Sequence, residues 1–157
     1  ILLNLFLYDE NYLGNLNDIL KIKFDDLNNK LIKNGAIDFT INEKKIKSQK
    51  AHFNLHKIGK MSAEIKYMSD KGDIKFLSKN HLIIENHIEF AKVFQVSSKK
   101  VKKIKNLYFF LEKNIGDTNF LISNVKVDNL EKKELQNQVF QVKNIQNLRS
   151  HIRQIIN

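Results

Sequence analysis

Cysteine and proline are both missing from this 157-residue chain, glycine occurs only five times, and arginine only twice, at Arg149 and Arg153. Without cysteine there is no disulfide, no thiol nucleophile and no cysteine-ligated zinc, although this leaves the compartment open. Without proline, and with so little glycine, turns must be made by Asn, Asp and the few Gly. The dearth of arginine matters because the net charge is +10, a value that invites a nucleic-acid reading. Guanidinium groups make the two-pronged contacts to phosphate and guanine that lysine cannot. Asn and Ile are as abundant here as expected if AT-rich codons supply the lysine, so specific nucleic-acid binding is not expected. Long hydrophobic runs are also lacking. The apolar start from Ile1 to Tyr8 is eight residues, against ~20 for a membrane-spanning helix.

No GxSxG, P-loop or GxGxxG pattern occurs. The acidic pairs Asp9-Glu10, Asp25-Asp26 and Glu131 with Glu134 fall in turns or on helix surfaces. His52 and His56 would share a helix face, but on a strand they lie ~13 Å apart, too far for one metal ion. His81 and His87 flank a strand end without a converging set of ligands. The expectation is therefore a non-enzymatic chain with no metal and no cofactor.

What is present is alternation. A hydrophobic content of 42% with 28% charged residues suits one folded domain. Leu20, Ile22 and Phe24 alternate with Lys21, Lys23 and Asp25, the period of a strand with one buried face. Asn28 to Gly35 reads as a polar connection around Leu31-Ile32. Ile37, Phe39 and Ile41 resume the alternation, and a turn is expected at Asn42-Glu43-Lys44. Ala51, Phe53 and Leu55 then share a face, Gly59 marks a turn, and Met61, Ala63, Ile65 and Tyr67 oppose Ser62, Glu64 and Lys66. Ser69-Asp70-Lys71-Gly72 signals a hairpin, followed by Ile74 and Phe76 and then Leu82 to Ile84. At Asn86 the period changes: Asn86 with Glu89 forms an N-cap signature, and Phe90, Ala91 and Phe94 follow at helical spacing, predicting a helix from about His87 to Val96. Leu107 to Leu111 and Phe120 to Val127 read as a hairpin, the first strand apolar on both faces and so expected to be covered on both. Ile145, Leu148, Ile152 and Ile155 form one helical stripe. The start of that helix is open between Glu131 and Asn144, and Val139 to Val142 could equally be a strand.

The fold class expected is mainly β: a curved antiparallel meander with a short mid-chain helix and a C-terminal amphipathic helix, in one domain. Its apolar face would carry Ile22, Phe24, Ile37, Phe39, Phe53, Leu55, Ile65 and Phe76. Between Ser97 and Lys105 lies a basic connector with Lys99, Lys100, Lys102, Lys103 and Lys105. Such a run draws anionic headgroups by ~1 kcal/mol per charge near a membrane, or it is a solvated linker with Val101 and Ile104 pinned to the core.

Several segments together resemble the C-terminal region of AsmA-like envelope proteins. They are Asn34-Gly35-Ala36-Ile37-Asp38-Phe39, Phe53-Asn54-Leu55 running through Lys57-Ile58-Gly59-Lys60-Met61, and Asn86-His87-Ile88-Glu89-Phe90-Ala91-Lys92 with Phe94-Gln95-Val96. The turn Gly116-Asp117-Thr118 and the end Ile145-Gln146-Asn147-Leu148-Arg149 complete the likeness, which covers roughly residues 15 to 157. The resemblance implies kinship with bridge-like lipid transporters, in which an inner-membrane helix precedes a long periplasmic sheet curled into an apolar groove. It implies a phospholipid or membrane-surface partner, envelope proteins as further partners, and a role in phospholipid transfer or outer-membrane assembly. Ile1 in place of Met fits a C-terminal segment whose anchor lies upstream, on the periplasmic side of the inner membrane. Two rivals stand beside it: a protein-interaction module with a fully covered sheet, and a non-specific nucleic-acid binder using Lys99 to Lys105.

Overall fold

Residues with every second side chain apolar form strands because only a pleated strand sends all of those side chains to one side. In a computed structural model of the chain, residues 18–25, 31–42, 45–70, 73–101, 104–114, 117, 119–128, 130–141 and 145–156 are described. Among the described residues five strands come first: β1 (Asp18–Phe24), β2 (Ile32–Asn42), β3 (Lys45–Leu55), β4 (Gly59–Asp70) and β5 (Asp73–Ile84). Two helices follow, α1 (His87–Phe94) and α2 (Ser98–Val101). Then come β6 (Asn106–Asn114), β7 (Asn119–Val127), β8 (Leu130–Glu131), a 3-10 turn (Lys133–Leu135), β9 (Gln138–Gln141) and α3 (Ile145–Ile156).

All the pairings are antiparallel and the spatial order of β1 to β8 is the chain order, with β9 beside β8 on the same edge of β7. Among the described residues no ladder joins β1 to β8 or β9, so the sheet is open rather than a closed barrel. The expected mainly antiparallel sheet with a mid-chain and a C-terminal helix is the fold observed.

The helices cover one side of the later strands. Asn86 caps α1, its Oδ1 accepting from the N–H groups of Ile88 and Glu89 at 3.1 Å each, which satisfies two donors that would otherwise lack partners. That fixes Phe90 and Phe94 facing inward, ring centroids 4.6 Å apart. They join Leu82, Ile84, Leu107, Val125, Val127, Phe140, Ile152 and Ile155 in one core. Val101 of α2 is buried in the same cluster, with Ile104 packed against it. The α3 stripe meets the core through Ile152 and Ile155, with Leu148 partly buried beside them. Arg149 lies off that stripe and donates from Nε to the Val93 carbonyl oxygen at 2.7 Å. It thus binds α3 to the last turn of α1, whose free carbonyls favour a cation.

Three details differ from the sequence reading, and one alternative it left open is decided. Asn34 and Gly35 belong to β2 rather than to a connection, because both pair in register with β3. Ile74 to Ile84 is one strand, continuing through Ser78 and Asn80. Of the alternatives left open at the C-terminal end, the strand holds for Val139, which lies in β9, with α3 spanning Ile145–Ile156. The outward face of Leu107 to Leu111 is not covered among the described residues: Tyr108 remains 37% exposed, supported sideways by the neighbouring strands rather than by a second layer. The expectations for Ile1 to Tyr8, Asp9 to Asn11, Glu43-Lys44 and Lys71-Gly72 concern residues outside the described ones.

Candidate functional site

Directly paired residues in an antiparallel ladder point to the same side of the sheet, so the register decides which side chains share a surface. Phe24 lies opposite Gly35, followed by Phe53 and Met61; Ile22 opposite Ile37, then Ala51 and Ala63; Leu20 opposite Phe39, then Gln49 and Ile65. Tyr67 pairs with Phe76, and Leu55 with Gly59. The ladders therefore bring Ile22, Phe24, Ile37, Phe39, Phe53, Leu55, Ile65 and Phe76 to one face. Leu20 belongs with them and is 40% exposed. The alternation of β1 contained this residue, but nothing in the sequence marked it as the more exposed one.

The eight are not equally accessible. Leu55 (7% exposed) is part of the helix-covered core, and Phe39 is 4% exposed. These two are corrections to the expected groove lining: they form floor rather than open surface. Phe53 packs partly against the core, while Ile22, Phe24, Ile37, Ile65 and Phe76 are half-buried and outside that cluster. The face thus has a helix-covered part over the later strands and a part over β1 to β5 beyond the helical core.

Aromatic contacts shape this second part. The Phe24 and Phe53 ring centroids stand 6.0 Å apart, across Gly35. A Cβ there would come within 2.9 Å of both rings, so glycine is what lets them meet. At the other end Tyr67, Phe76 and Phe120 form a chain of edge contacts with centroids 6.1 and 6.5 Å apart. Lys113 Nζ sits 5.1 Å from the Phe120 ring centroid.

Between these ends the floor is polar. Gln49, Ser78 and Asn80 are buried. Ser78 donates from Oγ to Asn80 Oδ1 at 3.0 Å, and Asn80 Nδ2 donates to the Phe109 carbonyl oxygen at 3.3 Å. Ser78 and Asn80 are tolerated inside because they are bonded. The Tyr67 hydroxyl is a partial exception: it is buried, and although Gln49 lies close enough to favour its ionised form slightly, no hydrogen bond of ordinary geometry reaches Oη. Burial is the larger effect and pushes the Tyr67 phenol above its usual 10.0. Two results are expected. At neutral pH, Tyr67→Phe loses no good hydrogen bond and should leave the urea midpoint unchanged or slightly raised. Because the folded state holds the proton more tightly, the wild-type contribution is intact below pH 10 and lost as pH rises through the raised value. The gap between wild type and Tyr67→Phe should therefore widen in favour of the variant above pH 10, as measured by urea melts at both pH values.

The basic segment lies elsewhere. Lys99 and Lys100 of α2 and Lys105 after it are exposed; Lys102 and Lys103 are outside the described residues. The Lys105 carbonyl accepts from the Ile84 N–H at 2.8 Å, so this segment adjoins the end of β5 opposite Phe76. The structure does not gather these lysines around the β1–β5 surface.

The histidines do not converge. His52 is exposed on the other face of the sheet, His56 lies in the β3–β4 turn, and His81 bonds through Nε2 to Asn106 Oδ1 at 3.0 Å. Among the described residues no group of three or more His, Cys, Asp or Glu is placed to hold a metal ion, and no helix is long and apolar enough to cross a membrane. Comparison with protein-family models, with curated proteins and with solved structures finds no match to this chain.

Proposed function

We propose that this chain is a non-enzymatic module of the bacterial cell envelope whose apolar sheet face holds phospholipid acyl chains during lipid transfer or outer-membrane assembly. The observation that carries the proposal is the β1–β5 surface: Leu20, Ile22, Phe24, Ile37, Ile65 and Phe76 share one face of an open sheet and stand outside the helix-covered core. A lipid tail laid there gains about 0.8 kcal/mol per methylene removed from water, so a chain of ordinary length is held without any specific polar contact. That agrees with the lack of a catalytic motif in the sequence. The resemblance to AsmA-like proteins adds the setting: the periplasmic side of the inner membrane, an anchor upstream, and envelope proteins as partners. Lys99, Lys100, Lys102, Lys103 and Lys105 would contribute attraction to anionic headgroups.

A second reading has its own support. Phe39 and Ala51 are almost fully buried, as they would be in a protein-interaction module whose sheet is covered throughout.

The sequence contains no tryptophan, so an introduced one reports alone. Leu20→Trp places the indole on the apolar face, and Met68→Trp places it on the opposite face, where Met68 pairs with Lys75. With phospholipid vesicles brominated in the acyl chains, Leu20→Trp fluorescence should shift to the blue and be quenched, while Met68→Trp changes little. Native mass spectrometry of the purified wild type should show bound phospholipid. Equal quenching at both positions, or none at either with a lipid-free protein, would overturn the proposal and leave the interaction module. A salt-dependent DNA gel shift at physiological ionic strength would instead favour a nucleic-acid surface.

A further inference from the structure

The other face of the sheet carries a built depression that the lipid reading does not use. Along β6 and β7 the register runs Tyr108 opposite Lys126, then Phe110 opposite Ser123. One residue on β6 therefore faces two on β7, which is a β-bulge. Asn124 within the bulge has φ +50°, and Asp128 beyond the end of β7 has φ +53°, two left-handed residues that bracket Lys126. Bulges re-aim side chains and recur beside binding sites. Here the bulge leaves a cavity of ≈ 480 Å³ lined by Tyr108, Phe110, Asn124, Lys126 and Asp128.

Tyr108, Phe110 and Asp128 are each contacted from behind or beside. His81 stacks on Tyr108 with centroids 4.1 Å apart and planes inclined by 12°. The register places His81 on the β5 side of Tyr108 and Lys126 on the β7 side, so the ring face toward the cavity is the one left for a ligand. His81 Nε2 bonds to Asn106 Oδ1 at 3.0 Å. The Asn106 N–H in turn donates to Asp128 Oδ1 at 2.8 Å, and the Lys105 N–H donates to the same oxygen at 3.0 Å. One polar chain thus fixes both the aromatic wall and the carboxylate. Lys79 Nζ lies 5.5 Å from the Phe110 ring centroid, on the side of Phe110 given by β5.

We propose that this cavity binds a saccharide carrying an acidic group, with a sugar ring laid on Tyr108, its hydroxyls bonded to Asn124 and Asp128, and its carboxylate or phosphate on Lys126. The aromatic wall offers a flat π face to the C–H side of a pyranose. Asn124 and Asp128 supply the acceptors that sugar hydroxyls need, and Lys126 supplies the one cation in the lining among the described residues. Asp128 decides between this ligand and a single-stranded nucleic acid. Bases would stack equally well on Tyr108, but a strand brings successive phosphates that need a groove of several cations, whereas this lining holds Lys126 beside a carboxylate that accepts from hydroxyls. The charge around the cavity favours an acidic sugar over a neutral one. On this face Asp38, Glu64 and Glu112 are each paired with a lysine (Lys21, Lys66 and Lys75), whereas no ion pair within 4 Å is formed by Lys79 or Lys126 among the described residues.

Saturation-transfer NMR on the full chain tests this with three probes: tri-galacturonic acid, maltotriose and a hexathymidylate. Transfer is expected to tri-galacturonic acid, more weakly to maltotriose. Tyr108→Ala should abolish it, and Lys126→Gln should weaken tri-galacturonic acid about tenfold while leaving maltotriose unchanged. Far-ultraviolet circular dichroism checks that both variants keep the sheet, and Lys126, being exposed, serves if Tyr108→Ala does not fold. No transfer to either sugar, transfer unaffected by the folded variants, or tighter binding of hexathymidylate would overturn the proposal. Equal binding of the two sugars would overturn its acidic part. The site is on the opposite side from the acyl-chain surface, so either result stands whether or not lipid binds.

Discussion

Phe90→Ala is expected to lower the stability of the fold by about 3–5 kcal/mol, the largest effect of any single truncation considered. Phe90 is 0% exposed and, with Phe94, carries α1 onto the sheet. Its ring packs against Phe94 and into the cluster of Leu82, Ile84, Leu107 and Val125. Removing it takes a large apolar surface out of the core and leaves a cavity that the rigid strands beneath cannot close. The neighbouring helix cannot close it either, because Asn86 caps α1 at one end and Arg149 ties the other. A domain of this size is stable by only about 5–15 kcal/mol, so the variant should sit near the threshold of folding. The check is urea denaturation followed by circular dichroism. The midpoint should fall sharply with an unchanged slope if the sheet and its helical cover unfold together. A biphasic melt would show that the β1–β4 end holds on its own.

Gly59→Ala should be nearly as damaging, through the backbone rather than the core. Gly59 has φ +151°, a region that side-chain-bearing residues avoid at a cost of order 1–3 kcal/mol. The added Cβ would also be driven into the Ile83 carbonyl oxygen of the adjacent strand, which is backbone and cannot swing aside. The turn it closes is used twice. The Ile58 carbonyl accepts from both the Glu85 and Asn86 N–H groups, at 2.9 and 3.0 Å, and Ile58 itself is in the core. Displacing Gly59 therefore disturbs the β3–β4 turn and the entry to α1 together. A loss of at least about 2 kcal/mol in the same urea assay is expected. A variant as stable as the wild type would show that the turn adopts another conformation.

The strands were legible because their chemistry is local. Ile22, Phe24, Ile37 and Phe53 alternate with lysine, aspartate and asparagine, and period two has one structural meaning. The helix at Asn86 was legible for the same reason: a cap and a spacing sit within eight residues. What the alternation could not show depends on partners distant in sequence. Ser78 and Asn80 look like a break between two strands. They continue one strand because Asn80 finds the Phe109 carbonyl, 29 residues away. Phe39 and Leu55 read the same as Ile37 and Phe53, yet the former are buried and the latter are not, since periodicity assigns a side and not a depth. Tyr108 and Phe110 looked like the outward half of a strand covered twice. The bulge at Asn124 has no signature in the sequence beyond an Asn, a residue that tolerates positive φ but recurs throughout this chain.

Because each strand from β1 to β7 pairs with the next in sequence, a chain leaving the ribosome meets its partner strand soon after it emerges. The longest interruption, between Ile84 and Asn106, is filled by α1 and α2 and ends beside the strand where it began. Contacts this local are associated with fast folding. They also mean that a hairpin inserted or deleted during evolution leaves the threading of the remaining strands untouched, so a sheet of this kind is free to change its length while keeping its face.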